Sequence, residues 1–265
     1  MHPVCFNIDH LTIHWYGVMM AMGFLAGLAI WTFLGKKEGR NLNYCCDLLF
    51  WIMVSSIAGA RLAYVFSDLK SFLAEPLTIL RVDQGGLIYY GGFIGACLAI
   101  VVFARIRGEN IRTLLDFVVP AVPLAHAFGR IGCLLNGCCY GTEYDGLFAV
   151  RYPAQSYSWK IQVDAGEISR FTLHSLPVHP VQLYEVAFNL VLYLFLVWAY
   201  RHRKWNGSIA AFYLLTYPFA RFWLEFLRGD ERMRYMGLSV AQLVSILLFI
   251  SGAGLWFWSR RKTKS

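Results

Sequence analysis

Apolar residues in this chain come in long, nearly uncharged runs, not in the short alternations or single stripes of a water-soluble fold. The runs lie near Leu11–Leu34, Leu48–Ala60, Gly85–Ala104, Leu114–Phe128, Val181–Tyr200, Ile209–Ala220 and Leu238–Ser259. Each approaches the ~20 residues that an α-helix needs to cross a bilayer's hydrocarbon layer. The pattern predicts an all-α integral membrane protein with about seven transmembrane helices. No linker, low-complexity tract or repeat interrupts it, so residues 1–265 read as a single transmembrane domain. The longest connection, at about 142–178, holds "LFAVRYP" and "SRFTL", which predict a small, partly β cap. "FLAEPLTIL", inside the Ser67–Gln84 connection, reads as an amphipathic segment along the membrane surface.

Composition agrees: 58% of the 265 residues are hydrophobic and 15% charged, and the mean hydropathy is +0.49. Charge adds direction. Lys36, Lys37 and Arg40, then Arg105, Arg107 and Arg112, then Arg201, Arg203 and Lys204, then Arg260, Arg261, Lys262 and Lys264 occupy alternate connections and the tail. The intervening connections hold fewer basic residues and most of the acids. The positive-inside rule then predicts an outer N-terminus, a cytoplasmic C-terminus and an extracytoplasmic cap. The net charge of +8 reflects this asymmetry and contact with anionic lipid. It forms no basic stripe, so no nucleic-acid partner is expected. No Lys or Arg precedes the first run, which is therefore expected to stay as an anchor.

Seven cysteines include Cys133, Cys138 and Cys139, spaced C-x4-C-C with no C-x2-C pair. That spacing predicts no metal site, and no cofactor is expected. Two readings of these thiols stand: small buried hydrophobes, or a disulfide on the oxidising outer side.

Outside the connections, three arginines remain (Arg61, Arg130 and Arg221), together with Glu185 and Glu225. An intramembrane charge costs roughly 3 kcal/mol on insertion scales and is a functional-site hypothesis by default. In the predicted topology all five fall in the outer half of the bilayer. Tyr217, Arg221 and Glu225 are spaced i, i+4, i+8 along one helix face, either as a self-contained ion pair or as part of a binding site. "HPVQLYE" starts the fifth run, and Gln182, Glu185 and Asn189 carry a polar stripe into it. Interhelical hydrogen bonds or chemistry would both account for the stripe. His179 reads as a cap or a hold on the outer domain. In "GGLIYYGGFIGA", Gly91, Gly95 and Ala99 suit helix packing, while Tyr89 and Tyr90 suit an interfacial belt or a site. Tyr16 of "HWYG" has the same two readings. One reading unites these residues: a lipid phosphate, gripped by the bidentate forks of Arg130 and Arg221, with its acyl chains left in the bilayer. The glycines of "GRIGCLLNGCCYG" would let it come close.

"HWYG" (14–17), "GGLIYYGGFIG" (85–95), "GRIGCLLNGCCYG" (129–141), "HPVQLYE" (179–185) and "RFWLEFLRGD" (221–230) stand in the order found in prolipoprotein diacylglyceryl transferases, which the chain resembles over nearly its whole length. The resemblance implies an enzyme of the bacterial inner membrane with its site toward the outer leaflet. It would move the diacylglyceryl group of phosphatidylglycerol to the lipobox cysteine of prolipoprotein signal peptides, forming a thioether and releasing glycerol phosphate. It implies that Arg130 and Arg221 hold the phosphate, that Tyr16, Asn136, Tyr217 and Glu225 line the site, and that Gly141 closes the signature. His179, Gln182, Tyr184 and Glu185 would support it, and Arg61 joins the substrate-binding set as an intramembrane cation. Many members carry His where this chain has Tyr90, and "GRxGNxxNxE" where it has Cys133 and Cys138. Tyr90, Glu225 or arginine-assisted ionisation of the substrate thiol are then the candidates for the base. Competing classes are a paralogous lipid transferase with another acceptor, a small-anion transporter using the same arginines, and a thiol oxidoreductase working through Cys133, Cys138 and Cys139.

Overall fold

The computed structural model describes residues 4–8, 11–69, 72, 75–81, 85–230 and 234–261. Nine α-helices dominate the described residues: α1 (Trp15–Gly35), α2 (Leu42–Ser67), α3 (Tyr89–Ile106), α4 (Ile111–Val118), α5 (Val122–Asn136), α6 (Tyr157–Asp164), α7 (Val181–Arg201), α8 (Ser208–Leu224) and α9 (Val240–Arg261). A 3-10 turn at Val119–Ala121, built around Pro120, joins α4 to α5. Six helical stretches are long and apolar enough to cross a membrane: Trp15–Glu38, Leu42–Ser67, Tyr89–Ile106, Ile111–Asn136, Val181–Arg201 and Val240–Arg261. The fold is that of a multi-pass, all-α membrane protein. The sixth predicted run forms α8, only 17 residues long, extended by a 3-10 turn at Glu225–Leu227.

The start of the first run differs from expectation. Leu11–His14 is a strand (β2), paired antiparallel with Val4–Ile8 (β1), and the helix begins at Trp15. Thr12 and Ile13 are β-branched and favour the extended backbone. The predicted segment "FLAEPLTIL" is described only in part; Pro76–Leu80 forms a 3-10 helix opened by its proline.

Contacts divide the chain into two compact units, Trp31–Phe117 and Met1–Ile30 with Val118–Ser265. In the first of these, α2 and α3 pack through small residues. A Cβ added at Gly91 or Gly95 would collide with Gly59, Ala63 or the backbone of Ser55. Without a hydrophobic drive between helices in lipid, such backbone approach supplies the association energy. At one end, Arg40 pairs with Glu109 at 2.8 Å and stacks over Phe117, while the Tyr44 hydroxyl donates to Glu109 at 2.7 Å. At the other, Arg61 is buried among backbone carbonyls. It donates to Thr78 O at 2.5 Å, Ile79 O at 2.9 Å, Gly85 O at 2.9 Å and Gly86 O at 3.1 Å.

In the other unit, α5 packs on α7, and α8 on α9. Pro218 inside α8 leaves the Leu214 carbonyl without its helical donor. Gly252 of α9 comes close there: an added Cβ would sit 3.1 Å from that oxygen. A two-residue turn, Met236–Gly237, with both φ positive, joins strands β3 (Arg234–Tyr235) and β4 (Leu238–Ser239). Ser239 and Gln242 then close a capping box on α9: the Gln242 N–H donates to Ser239 Oγ at 3.2 Å, and Ser239 N–H to Gln242 Oε1 at 2.9 Å.

Residues 142–178 fold over a small core of Tyr140, Tyr152 and Val178, with Leu134 and Val150 against it. Its β character is limited to isolated bridges such as Val150↔Val178 and Pro153↔His174. The unexpected element is α6, which Ser156 caps by accepting from the Trp159 N–H at 3.3 Å.

Candidate functional site

Four charges that share no loop form one chain inside this larger unit. Arg130, from the last turns of α5, meets Glu185 of α7 with Nε 2.6 Å from Oε2. The other carboxylate oxygen of Glu185 is 3.5 Å from Arg221 Nη1 on α8. Arg221 Nη2 lies 2.5 Å from Glu225 Oε2, one turn on, and Ser239 Oγ donates to Glu225 Oε1 at 2.9 Å. The Glu185 side chain is 2% exposed, and that of Arg130 is 21% exposed. The self-contained pair of Arg221 and Glu225 is thus half of the arrangement. Glu185 is its centre, because among the described residues it is the carboxylate that meets both arginines. Low local dielectric makes such contacts strong and makes an unpaired member costly.

Tyr16 and Tyr217 complete the cluster. Tyr16 packs against α5, where a Cβ on Gly132 would come within 3.1 Å of its ring, and its electrostatic neighbours include Arg130. Tyr217 is an electrostatic neighbour of Arg130 and stacks on Tyr213 with centroids 5.4 Å apart. Its ring also lies 5.0 Å from that of His126, which sits one turn before Arg130. His126 escaped the sequence reading. Its Nδ1 is buried without a hydrogen-bond partner, and its charged neighbours are Arg130 and Arg221. The i, i+4 spacing to Arg130 in "HAFGR" was the available signal.

The cap is fastened to this cluster through backbone. Gly141 N–H donates to His179 O at 2.9 Å, His179 N–H to Thr142 O at 3.0 Å, Thr142 N–H to Leu227 O at 2.9 Å, and Gly229 N–H to Tyr140 O at 3.1 Å. A Cβ on Gly141 would lie 2.5 Å from His179 Cβ, and one on Gly229 would collide with Gly141 O. Three segments distant in sequence are sewn together where no side chain fits. Gln182 Nε2 donates to Cys138 O at 2.8 Å and to the Tyr152 hydroxyl at 2.9 Å. Burial pushes the Tyr152 phenol above its ordinary range, so it stays a neutral acceptor for that bond.

A family model described as prolipoprotein diacylglyceryl transferase matches residues 3–258. The chain belongs to the prolipoprotein diacylglyceryl transferase family. It is 32% identical to the phosphatidylglycerol–prolipoprotein diacylglyceryl transferase of Clostridium tetani, covering 95% of each chain. It is 32% identical to transferase 2 of Clostridium perfringens, over 97% of this chain and 94% of that one. With the Pseudoalteromonas translucida transferase it shares 33% identity over 98% of this chain and 93% of the other.

Among the residues that the family resemblance singled out, the structure brings Tyr16, Arg130, Glu185, Tyr217, Arg221 and Glu225 together. Asn136 bonds the Cys138 thiol just past the end of α5. His179 stacks on Tyr144, with centroids 3.9 Å apart, and its Nδ1 lies 3.2 Å from the Tyr184 hydroxyl. His179, Tyr184, Gln182 and Gly141 therefore hold the cap onto α7. Arg61 and Tyr90 belong to the Trp31–Phe117 unit, where Tyr90 opens α3 with its ring against Tyr89.

Proposed function

We propose that this chain transfers the diacylglyceryl group of phosphatidylglycerol to the lipobox cysteine thiol of secreted prolipoproteins, in the bacterial plasma membrane with its site toward the outer leaflet. The observation that carries the reading is the pair of arginines, Arg130 and Arg221, held by one shared carboxylate, Glu185. A phosphate offers the same acceptor geometry as that carboxylate and carries acyl chains that stay in lipid. Glu185 fixes both guanidinium planes before substrate arrives, so little reorganisation remains when charge grows on the departing phosphate. Tyr16, Tyr217 and Asn136 line the same space.

The reaction is attack by the acceptor sulfur on a glycerol carbon, with loss of the thiol proton and departure of glycerol phosphate. Tyr90, Glu225 and arginine-assisted ionisation of the substrate thiol are the candidates for the base that the family resemblance leaves. Glu225 already faces Arg221 and accepts from Ser239. His126, with an unpartnered Nδ1, stands beside both guanidiniums. Arg61 spends its donors on carbonyls of residues 78–86, and its contribution is to hold that connection.

The test uses the purified chain, phosphatidylglycerol vesicles and a cysteine-containing lipobox peptide, followed by peptide mass. The expected result is a gain of one diacylglyceryl unit on the cysteine with release of glycerol phosphate. Folded protein that produces no gain overturns the proposal.

A further inference from the structure

Cys133, Cys138 and Cys139 take no part in the transfer described above, yet the fold gathers them. Cys133 lies in the last turn of α5 and is buried. Gly137 ends the helix in the left-handed region, with φ 72°, and the Cys138 N–H turns back to Cys133 O at 3.1 Å. Cys139 then takes φ 65°, a conformation that L side chains rarely adopt. Local strain of this kind collects at functional sites. Its effect here is to bring all three sulfurs within 4.8 Å of one another, with hydrogen bonds among the thiols. In a tetrahedral zinc thiolate, Zn–S bonds of ~2.3 Å set sulfurs about 3.8 Å apart, so the trio needs only small shifts to chelate one ion. The reversal at residues 137–139 explains why C-x4-C-C spacing gave no metal signal.

The surroundings suit thiolates. Arg130 and Arg228 are electrostatic neighbours of Cys139. The Arg228 side chain is 2% exposed and makes a two-pronged pair with Asp230, both bonds 2.7 Å, but its buried Nη1 has no partner. Three thiolates on a divalent ion carry one net negative charge, which an unspent guanidinium N–H stabilises. Among the described residues, no His, Asp or Glu joins the trio as a fourth donor. Cys138 and Cys139 are partly exposed, so an ion and one further ligand can reach them.

We propose that Cys133, Cys138 and Cys139 form a three-thiolate site for a thiophilic d10 cation of the zinc class, whose fourth coordination position takes an external thiol. Three protein ligands with an open fourth position is the usual arrangement of a catalytic zinc. The identity of that fourth ligand rests on the transferase reading: it is the acceptor cysteine. On binding, its S–H bond breaks, the sulfur keeps the electron pair and bonds the cation, and the proton passes to water. The same pair then forms the C–S bond as the glycerol C–O bond breaks toward phosphate, and the cation keeps its oxidation state.

Metal content and cobalt spectroscopy test this on the full-length chain in detergent. Wild type should hold about one equivalent of zinc, falling more than tenfold in Cys138→Ser and in Cys139→Ser, the two less buried positions. Cobalt(II) in place of zinc should show thiolate charge-transfer absorption that changes when the lipobox peptide is added and stays fixed with its Cys→Ser analogue. Wild type without stoichiometric metal, variants that keep it, a spectrum indifferent to the peptide thiol, or a disulfide between any two of the three cysteines would each overturn the proposal. Intact metal and thiol response without lipid transfer would instead overturn the transferase reading and leave the site standing. Full transfer by metal-free protein would do the reverse.

Discussion

Arg61 and the pair Arg130 and Arg221 begin alike, as permanent cations in apolar runs, and end in opposite surroundings. Arg61 meets four neutral carbonyls of a single connection. Arg130 and Arg221 both meet Glu185 of another helix, and Arg221 also meets Glu225 one turn on. Carbonyls that are fixed in backbone cannot be exchanged without unravelling the loop, so the Arg61 arrangement is a clamp. A carboxylate shared between two guanidiniums is a mobile side chain, so its contacts can be exchanged without unravelling backbone. The partner, more than the burial, separates the two kinds of buried cation.

Five substitutions would break or sharpen that contrast. The largest effect is expected from Arg221→Ala, which strips both Glu185 and Glu225 of a partner; transfer in the peptide-mass assay should fall by about a thousandfold or more, with Arg130→Ala close behind. Wild-type transfer in either variant, with the protein still inserted, would refute the phosphate role. Glu185→Gln should follow. It leaves two buried cations facing a neutral amide, and the loss of a buried partner costs roughly 3–5 kcal/mol, read as a drop in melting temperature of about 10 °C. Arg61→Lys should be milder and different in kind. One ammonium cannot serve four carbonyls, so cleavage by added protease between residues 78 and 86 should rise several-fold, with about 2 kcal/mol of stability lost. The smallest effect belongs to Ser239→Ala, which removes the α9 cap and one hydrogen bond to Glu225, for about 1–2 kcal/mol. A loss of activity there larger than the loss of stability would show that Glu225 needs its orientation fixed.

Sequence patterning carried the helices and the intramembrane charges, because both are written in single residues against an apolar background. The i, i+4 pairing of Arg221 with Glu225 was legible for the same reason. The bridging role of Glu185 was not, since it depends on α7 standing between α5 and α8, and periodicity within a helix is silent about neighbours. Thr12 and Ile13 were absorbed into the first run because hydropathy ignores β-branching. His126 was missed as one polar residue in an apolar run, although its spacing to Arg130 put it on the same face. The thiol cluster was missed because a left-handed residue, Cys139, reverses the chain where spacing rules assume an ordinary turn.

The seam at Gly141 has a consequence for how the protein comes into being. Gly141, His179 and Gly229 are joined by backbone bonds, yet they lie in three separate stretches of the chain, and Gly229 emerges only after α8. Contacts between such distant segments close late, because the intervening loops must first be ordered. Arg221 and Glu225 arrive on that same late segment. A chain caught with α8 not yet inserted would hold Arg130 and Glu185 but no second cation and no fastened cap. The charge cluster and the seam over it are therefore completed together, and only once α8 is in place.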